Sequence, residues 1–198
     1  MPPHLRCRRT FRLVTAAATV GAILALPLAT AASAASITIP VESNPYGVAV
    51  NPSTNTVYVA NTSDGSVSVI NGSTNAVTST VPVGNLPVAV AANPSTNTVY
   101  VANSSDNSVS VINGANNTVT STVTVGSHPY GVAVNPSTNT VYVANFYANT
   151  VSVINGSTNA VTTTVSVGNN PSAVAVNPST NTVYVANQGG KSVSVING

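Results

Sequence analysis

Charge is almost absent from this 198-residue chain, whose five basic and three acidic residues amount to 4% of the sequence. All the arginines, Arg6, Arg8, Arg9 and Arg12, lie at the N-terminus, so beyond residue 34 Lys191 stands alone against Glu42, Asp64 and Asp106. The net charge of +2 therefore belongs to the first residues, and the remainder is slightly acidic. One lysine cannot neutralise the several phosphates that a nucleic acid presents, which excludes that partner. Without arginine, the same region also lacks a guanidinium fork for phosphate or carboxylate. Cysteine occurs once, as Cys7, so residues 35–198 hold neither a disulfide nor a thiolate metal ligand. No helical period of apolar residues is present after residue 35. Stability there has to come from packed strands.

The arginines open a stretch that reads as a secretory signal over residues 1–34. A basic start is followed by an uncharged, alanine-rich run from Leu13 to Ala29 and by Ala32-Ser33-Ala34, an A-x-A cleavage site. Arg8-Arg9-Thr10-Phe11 resembles the twin-arginine export signal, and the general secretory route fits equally well. Pro27 and the threonines argue against an uncleaved membrane anchor, so no membrane span is expected once the signal is removed. Cys7 precedes the apolar run and is no lipid-attachment site. The expected location is secreted, periplasmic or cell-surface.

What the chain does have is repetition. The eleven residues NPSTNTVYVAN occupy 51–61 and return unchanged at 93–103, 135–145 and 177–187, a fixed period of 42 residues. Repeats of about 40–45 residues built from short strands predict a β-propeller, with one four-stranded blade per repeat around a central axis. Within the first repeat, valine alternates with Ser, Thr, Ala or Tyr over Tyr46–Val50, Thr56–Ala60, Ser66–Ile70 and Ala76–Val83, separated by turns rich in Asn, Gly and Pro. Pro52 presets φ for the first turn. The scarcity of charge follows from this architecture, because a charge on a strand covered by two neighbouring blades would be buried without a partner. Serine and threonine hydroxyls can be satisfied locally instead.

Counting strands predicts how such a ring closes. Ile37–Val41 matches the outer strand of a repeat, three full repeats follow, and the chain reaches Gly198 after the third strand of a fourth. That makes four blades of four strands, closed by pairing the N-terminal and C-terminal strands so that no edge stays open. The closure is met either within a monomer or in an eight-bladed homodimer in which each chain lends its first strand to the other.

Tyr58-Val59-Ala60-Asn61 with its copies, the following SVSVING, and the V-x-V-G-x-x-P crossing resemble the YVTN-type β-propeller repeat over residues 37–198. The chain departs in having alanine at the threonine of the family name, and in having four repeats where relatives have about seven blades. The resemblance implies the fold. It leaves activity open, because surface-layer proteins, periplasmic proteins, lactonases and quinoprotein subunits share the architecture.

Differences between the four copies mark where a site would lie. The turns at 51–55, 93–97, 135–139 and 177–181 are identical, whereas the loops TSDG at 62–65, SSDN at 104–107, FYAN at 146–149 and QGGK at 188–191 vary, as do the crossings before Pro45, Pro87, Pro129 and Pro171. Both variable sets are expected at one end of the blades. They hold Asp64, Asp106, His128, Phe146, Tyr147 and Lys191, with Tyr130 beside them on a first strand, and these seven are the candidate binding residues. Asp64 and Asp106 read as turn formers rather than metal ligands, since Ala148 and Gly190 replace them elsewhere. Beyond residue 34, His128 lacks the second histidine or cysteine that a zinc or copper site needs. Tyr58, Tyr100, Tyr142 and Tyr184 recur with the period and read as core. No nucleophile stands within motif reach of a base, and the first strands expected to line the channel offer Tyr46, Val88, Tyr130 and Ser172. Five Asn-x-Ser/Thr sequons, starting at Asn61, Asn71, Asn103, Asn116 and Asn155, read as by-products of composition.

The expectation is thus an exported, non-catalytic propeller with no cofactor and no metal, which binds a protein or a glycan through its variable loop face. A lactonase-like enzyme and a structural unit of a cell-surface layer are the alternatives.

Overall fold

A computed structural model describes residues 36–198. Two units divide the chain, Met1–Ser36 and Ile37–Gly198, and all the described strands belong to the second. The secretory signal expected over 1–34 lies outside the described residues.

Strands alternate with four-residue turns as the valine pattern requires. β1 (Pro45–Asn51), β2 (Thr56–Asn61), β3 (Ser66–Asn71) and β4 (Ala76–Pro82) form the first antiparallel blade, in that order from the inside out. The second repeats it with β5 (Pro87–Asn93), β6 (Thr98–Asn103), β7 (Ser108–Asn113) and β8 (Thr118–Thr124). β9 (Pro129–Asn135), β10 (Thr140–Asn145), β11 (Thr150–Asn155) and β12 (Ala160–Ser166) make the third. β13 (Pro171–Asn177), β14 (Thr182–Asn187) and β15 (Ser192–Asn197) make the fourth, a three-stranded sheet. The inner strands neighbour one another in the order β1, β5, β9, β13.

Asparagine is frequent because these turns need it. Asn55, Asn75, Asn97 and Asn117 adopt left-handed backbone with φ of 50°, 54°, 51° and 56°, a region that asparagine tolerates better than most residues. The Asn71 carboxamide oxygen accepts from the amides of Ser73 and Thr74 at 2.8 and 3.1 Å, closing the turn locally. Where β4 pairs with β3 the register shifts between Val69 and Ile70, leaving Thr78 of the outer strand unpaired, and its hydroxyl donates to the Val69 carbonyl at 3.2 Å. Thr120 and Thr162 repeat the arrangement. Each bulge thus carries the group that satisfies the carbonyl it frees.

The core lies between blades. Tyr58, Val67 and Val69 of the first blade pack against Val90, Val99, Val101 and Ile112 of the second, and the same contact recurs at 42-residue steps between the second and third and between the third and fourth. At the axis the inner strands approach so closely that a Cβ on Gly47 would lie 2.7 Å from the Val88 carbonyl oxygen, which is why glycine stands there. A second tie is made of asparagines. Asn51 Nδ2 donates to Asn97 Oδ1 at 2.8 Å, Asn93 to Asn139 at 2.8 Å, and Asn135 to Asn181 at 2.7 Å, each bond joining one blade to the next.

The propeller class, the four-stranded blade and the period stand as the sequence predicts. The closing strand does not form in this structure: Ile37–Val41 has no strand pairing, and the fourth blade keeps three strands. Tyr184, expected in the core, is 45% exposed, because no blade covers that side of the fourth among the described residues. Of the sequons, Asn61 and Asn103 are fully buried, whereas Asn71, Asn116 and Asn155 are exposed.

Candidate functional site

The loop after the second strand and the crossing into each blade meet at one end of that blade. In the third blade the Phe146 amide donates to the His128 carbonyl at 2.9 Å and the Tyr147 amide to the Ser127 carbonyl at 3.2 Å. Thr62 with Asn44, Ser104 with Leu86, and Gln188 with Asn170 repeat the first of these bonds. The residue before each blade's first proline is left-handed, with φ of 54° at Asn44, 54° at Leu86, 57° at His128 and 51° at Asn170. Asn107 Oδ1 accepts from the His128 amide at 2.8 Å and fixes that bend from the blade before. The backbone is the same in every copy, so the side chains placed on it set the surface.

On the third blade they are aromatic. The rings of His128 and Tyr147 are centred 4.5 Å apart, Phe146 and Tyr147 5.2 Å, Tyr130 and Phe146 5.7 Å, and His128 and Tyr130 6.5 Å. From the first blade, Tyr46 reaches over to place its hydroxyl 2.6 Å from that of Tyr130, with the two rings nearly perpendicular at 6.1 Å. Tyr46 and Tyr147 are exposed, while His128, Tyr130 and Phe146 are half-buried. These separations fall in the range where aromatic pairs attract beyond simple burial. The hydrogen bond with Tyr46 is the main cause that raises the Tyr130 phenol above its ordinary pKa, with burial and the charge on Tyr46 adding to it. The cluster is thus a preformed aromatic surface that carries phenol hydroxyls.

Four of the seven residues singled out in the sequence, His128, Tyr130, Phe146 and Tyr147, come together here. The other three are held elsewhere. Asp64 accepts from the Ser43 amide, and Asp106 accepts from the amide and the carboxamide of Asn85 at 2.7 and 2.9 Å. Those bonds, the backbone amide first, lower the Asp106 pKa. Both acids tie a loop to the crossing of their own blade. Lys191 occupies a left-handed turn position with φ of 48°, beside Gln188 and Val193 in the fourth blade. Tyr46 had been placed only along the channel. Its signal was the shared PYGVAVN of β1 and β9, which puts tyrosine at the same height in two blades. Among the described residues, no group of three or more His, Cys, Asp or Glu side chains is gathered.

Comparison with known proteins agrees on architecture. A chain of hydrazine synthase from Kuenenia stuttgartiensis is 26% identical with a TM-score of 0.73, over 79% of this chain and 47% of that one. A functionally unknown protein from Desulfotomaculum acetoxidans DSM 771 is 22% identical with a TM-score of 0.69, over 79% of this chain and 52% of that one. The chain therefore spans about half the length of these structures. No curated protein matches the sequence. The resemblance to YVTN-type repeats is upheld by the sequence model of the YNCE-like β-propeller, which matches residues 85–196. That match covers more than half of the chain, and the chain belongs to the YNCE-like β-propeller family.

Proposed function

We propose that this chain is an exported, non-catalytic propeller module that binds a glycan through the aromatic cluster of its loop face. The observation that carries the reading is the continuous contact of Tyr46, His128, Tyr130, Phe146 and Tyr147 on a chain with almost no charge. Rigid aromatic rings give a large contact area at low entropy cost, and tyrosine hydroxyls add hydrogen bonds at the rim. A sugar ring offers the complement: an apolar C–H face to stack on a π surface, and hydroxyls around it. The similarity to a hydrazine synthase chain supports the propeller and none of that protein's chemistry.

Titration of the purified protein against a glycan panel tests the reading. Phe146→Ala with Tyr147→Ala is expected to weaken binding by about 10- to 100-fold, the loss of ~1.4–2.7 kcal/mol typical of central aromatic contacts. Ser137→Ala and Thr138→Ala, at the opposite end of the same blade, should leave affinity unchanged. Equal losses at both ends would refute the loop face as the binding surface.

Export rests on the basic start and on Ala32-Ser33-Ala34. The secreted form is expected to begin at Ala35, as read by N-terminal sequencing. A mature product that keeps Arg8 and Arg9 would overturn that part of the proposal.

A further inference from the structure

The tyrosines of this chain divide by environment. Tyr58, Tyr100 and Tyr142 are buried between blades at 2% exposure or less, out of reach of a reagent in solvent. Tyr46, Tyr147 and Tyr184 are exposed, and Tyr130 is half-buried. Among the described residues one pair of phenols is in contact. The hydroxyl oxygens of Tyr46 and Tyr130 lie 2.6 Å apart, with ring centres at 6.1 Å and planes at 82°.

The repeat shows how specific this pair is. At 42-residue steps the place of Tyr46 is taken by Val88, Tyr130 and Ser172, so tyrosine stands on the first and third inner strands with a buried valine on the strand between. The inner strands pack closely, as the 2.7 Å approach at Gly47 requires, and the two rings meet across β5. Every other contact between blades is non-covalent, since residues 35–198 contain no cysteine.

We propose that Tyr46 and Tyr130 are an oxidative cross-linking site, where a peroxide acting through a peroxidase-class one-electron oxidant joins the two rings as dityrosine and ties the first blade to the third. Each phenol gives up one electron and its hydroxyl proton, and the peroxide takes up both electrons and both protons to leave two molecules of water. The phenoxyl radicals couple at ring carbons next to the carbons that bear oxygen, forming one C–C bond. The hydrogens on those two carbons move to the oxygens, which restores both hydroxyls, so the chain loses two hydrogen atoms in all. Exposed Tyr46 meets the oxidant first. Its radical can take the hydroxyl hydrogen of Tyr130 across their hydrogen bond, so the covered ring is oxidised through the open one. Held in contact, the pair reacts within one chain far faster than tyrosines on separate chains.

The inference concerns ring chemistry and stands whether or not the cluster binds a glycan. Its test is to treat the dilute full chain with hydrogen peroxide and a haem peroxidase, followed by a thiol to reverse any disulfide through Cys7. The expected product is a single chain with dityrosine fluorescence and a mass lower by two hydrogen atoms, in which elastase mapping joins the Tyr46 peptide to the Tyr130 peptide. Tyr46→Phe and Tyr130→Phe should each abolish the cross-link within the chain, and both keep the ring that packs there. Tyr184→Phe, which removes an exposed phenol outside the pair, should leave it at full yield. The joined residues are 84 positions apart, so the cross-linked chain should also unfold at higher urea than the untreated one, as closing a long loop constrains the unfolded state. Dityrosine found only between chains, a cross-link that maps to other tyrosines, or none under conditions that couple free tyrosine would overturn the site. A cross-linked chain with an unshifted urea midpoint would overturn the tie between blades.

Discussion

Tyr100→Ala is expected to lower the unfolding free energy by about 3–5 kcal/mol, whereas Tyr100→Phe should leave it unchanged within ~1 kcal/mol or raise it. Tyr100 is fully buried between the second and third blades, packed with Val109, Val111, Val141 and Ile154. Removing the ring opens a cavity that the hydrogen-bonded sheets on both sides cannot collapse to fill. The hydroxyl is a different matter. It is buried with no hydrogen-bond partner among the described residues, as is that of Tyr58, so phenylalanine removes a desolvated polar group and little else. The same burial raises the phenol pKa of Tyr58, Tyr100 and Tyr142. A raised folded-state pKa means that the unfolded chain ionises first, near pH 10. Stability is then fully present below about pH 10 and is lost as pH rises through the folded-state values. Urea melts of parent and Tyr100→Phe between pH 7 and 11 check both points: the parent should weaken at the alkaline end, and the variant should weaken less. A Tyr100→Phe cost as large as that of alanine would mean that the hydroxyl is bonded after all.

Asn103→Ala is expected to cost about 2–4 kcal/mol, more than its size suggests. Asn103 is fully buried, and its Nδ2 donates to the hydroxyls of Ser108 and Ser110 at 3.1 and 2.9 Å. Alanine would leave two buried serine oxygens without their donor, and that penalty is the larger part of the loss. Adding Ser108→Ala and Ser110→Ala should therefore recover part of the stability, because an apolar set of the same shape strands no polar group. The fourth blade supplies an internal control. Asn187 bonds Ser192 and Ser194 in the same way, but β15 is open to solvent, so Asn187→Ala should cost about 1 kcal/mol or less. Chemical denaturation of the three variants orders the costs, and an Asn187 penalty equal to that of Asn103 would contradict the burial argument.

The strands were legible because valine alternation and turn asparagines are local signals. β2 and β3 each extend one residue beyond the expected Ala60 and Ile70, and β4 ends at Pro82, one residue short of the expected Val83. The exposure of Tyr184 was hidden because its neighbours in sequence are those of Tyr58, while its burial depends on a facing blade that the described residues do not supply. The asparagine ties were hidden for the same reason. Asn51 and Asn97 are 46 residues apart, and nothing in either turn signals that one carboxamide faces the other. Of the aromatic cluster, His128 with Tyr130 and Phe146 with Tyr147 were visible as neighbours in two variable segments. Their union with Tyr46 depends on a contact that skips an entire blade.

The likeness of the inter-blade faces bears on how such a gene changes length. Every 42-residue unit presents one side that fits the unit before it and another that fits the unit after it. Unequal recombination that inserts or deletes one whole unit creates no new face, since each junction it makes is a copy of one already present. Chains of five or three units should therefore fold about as readily as four, and selection on such events would act through curvature and closure rather than through the ability to form a blade.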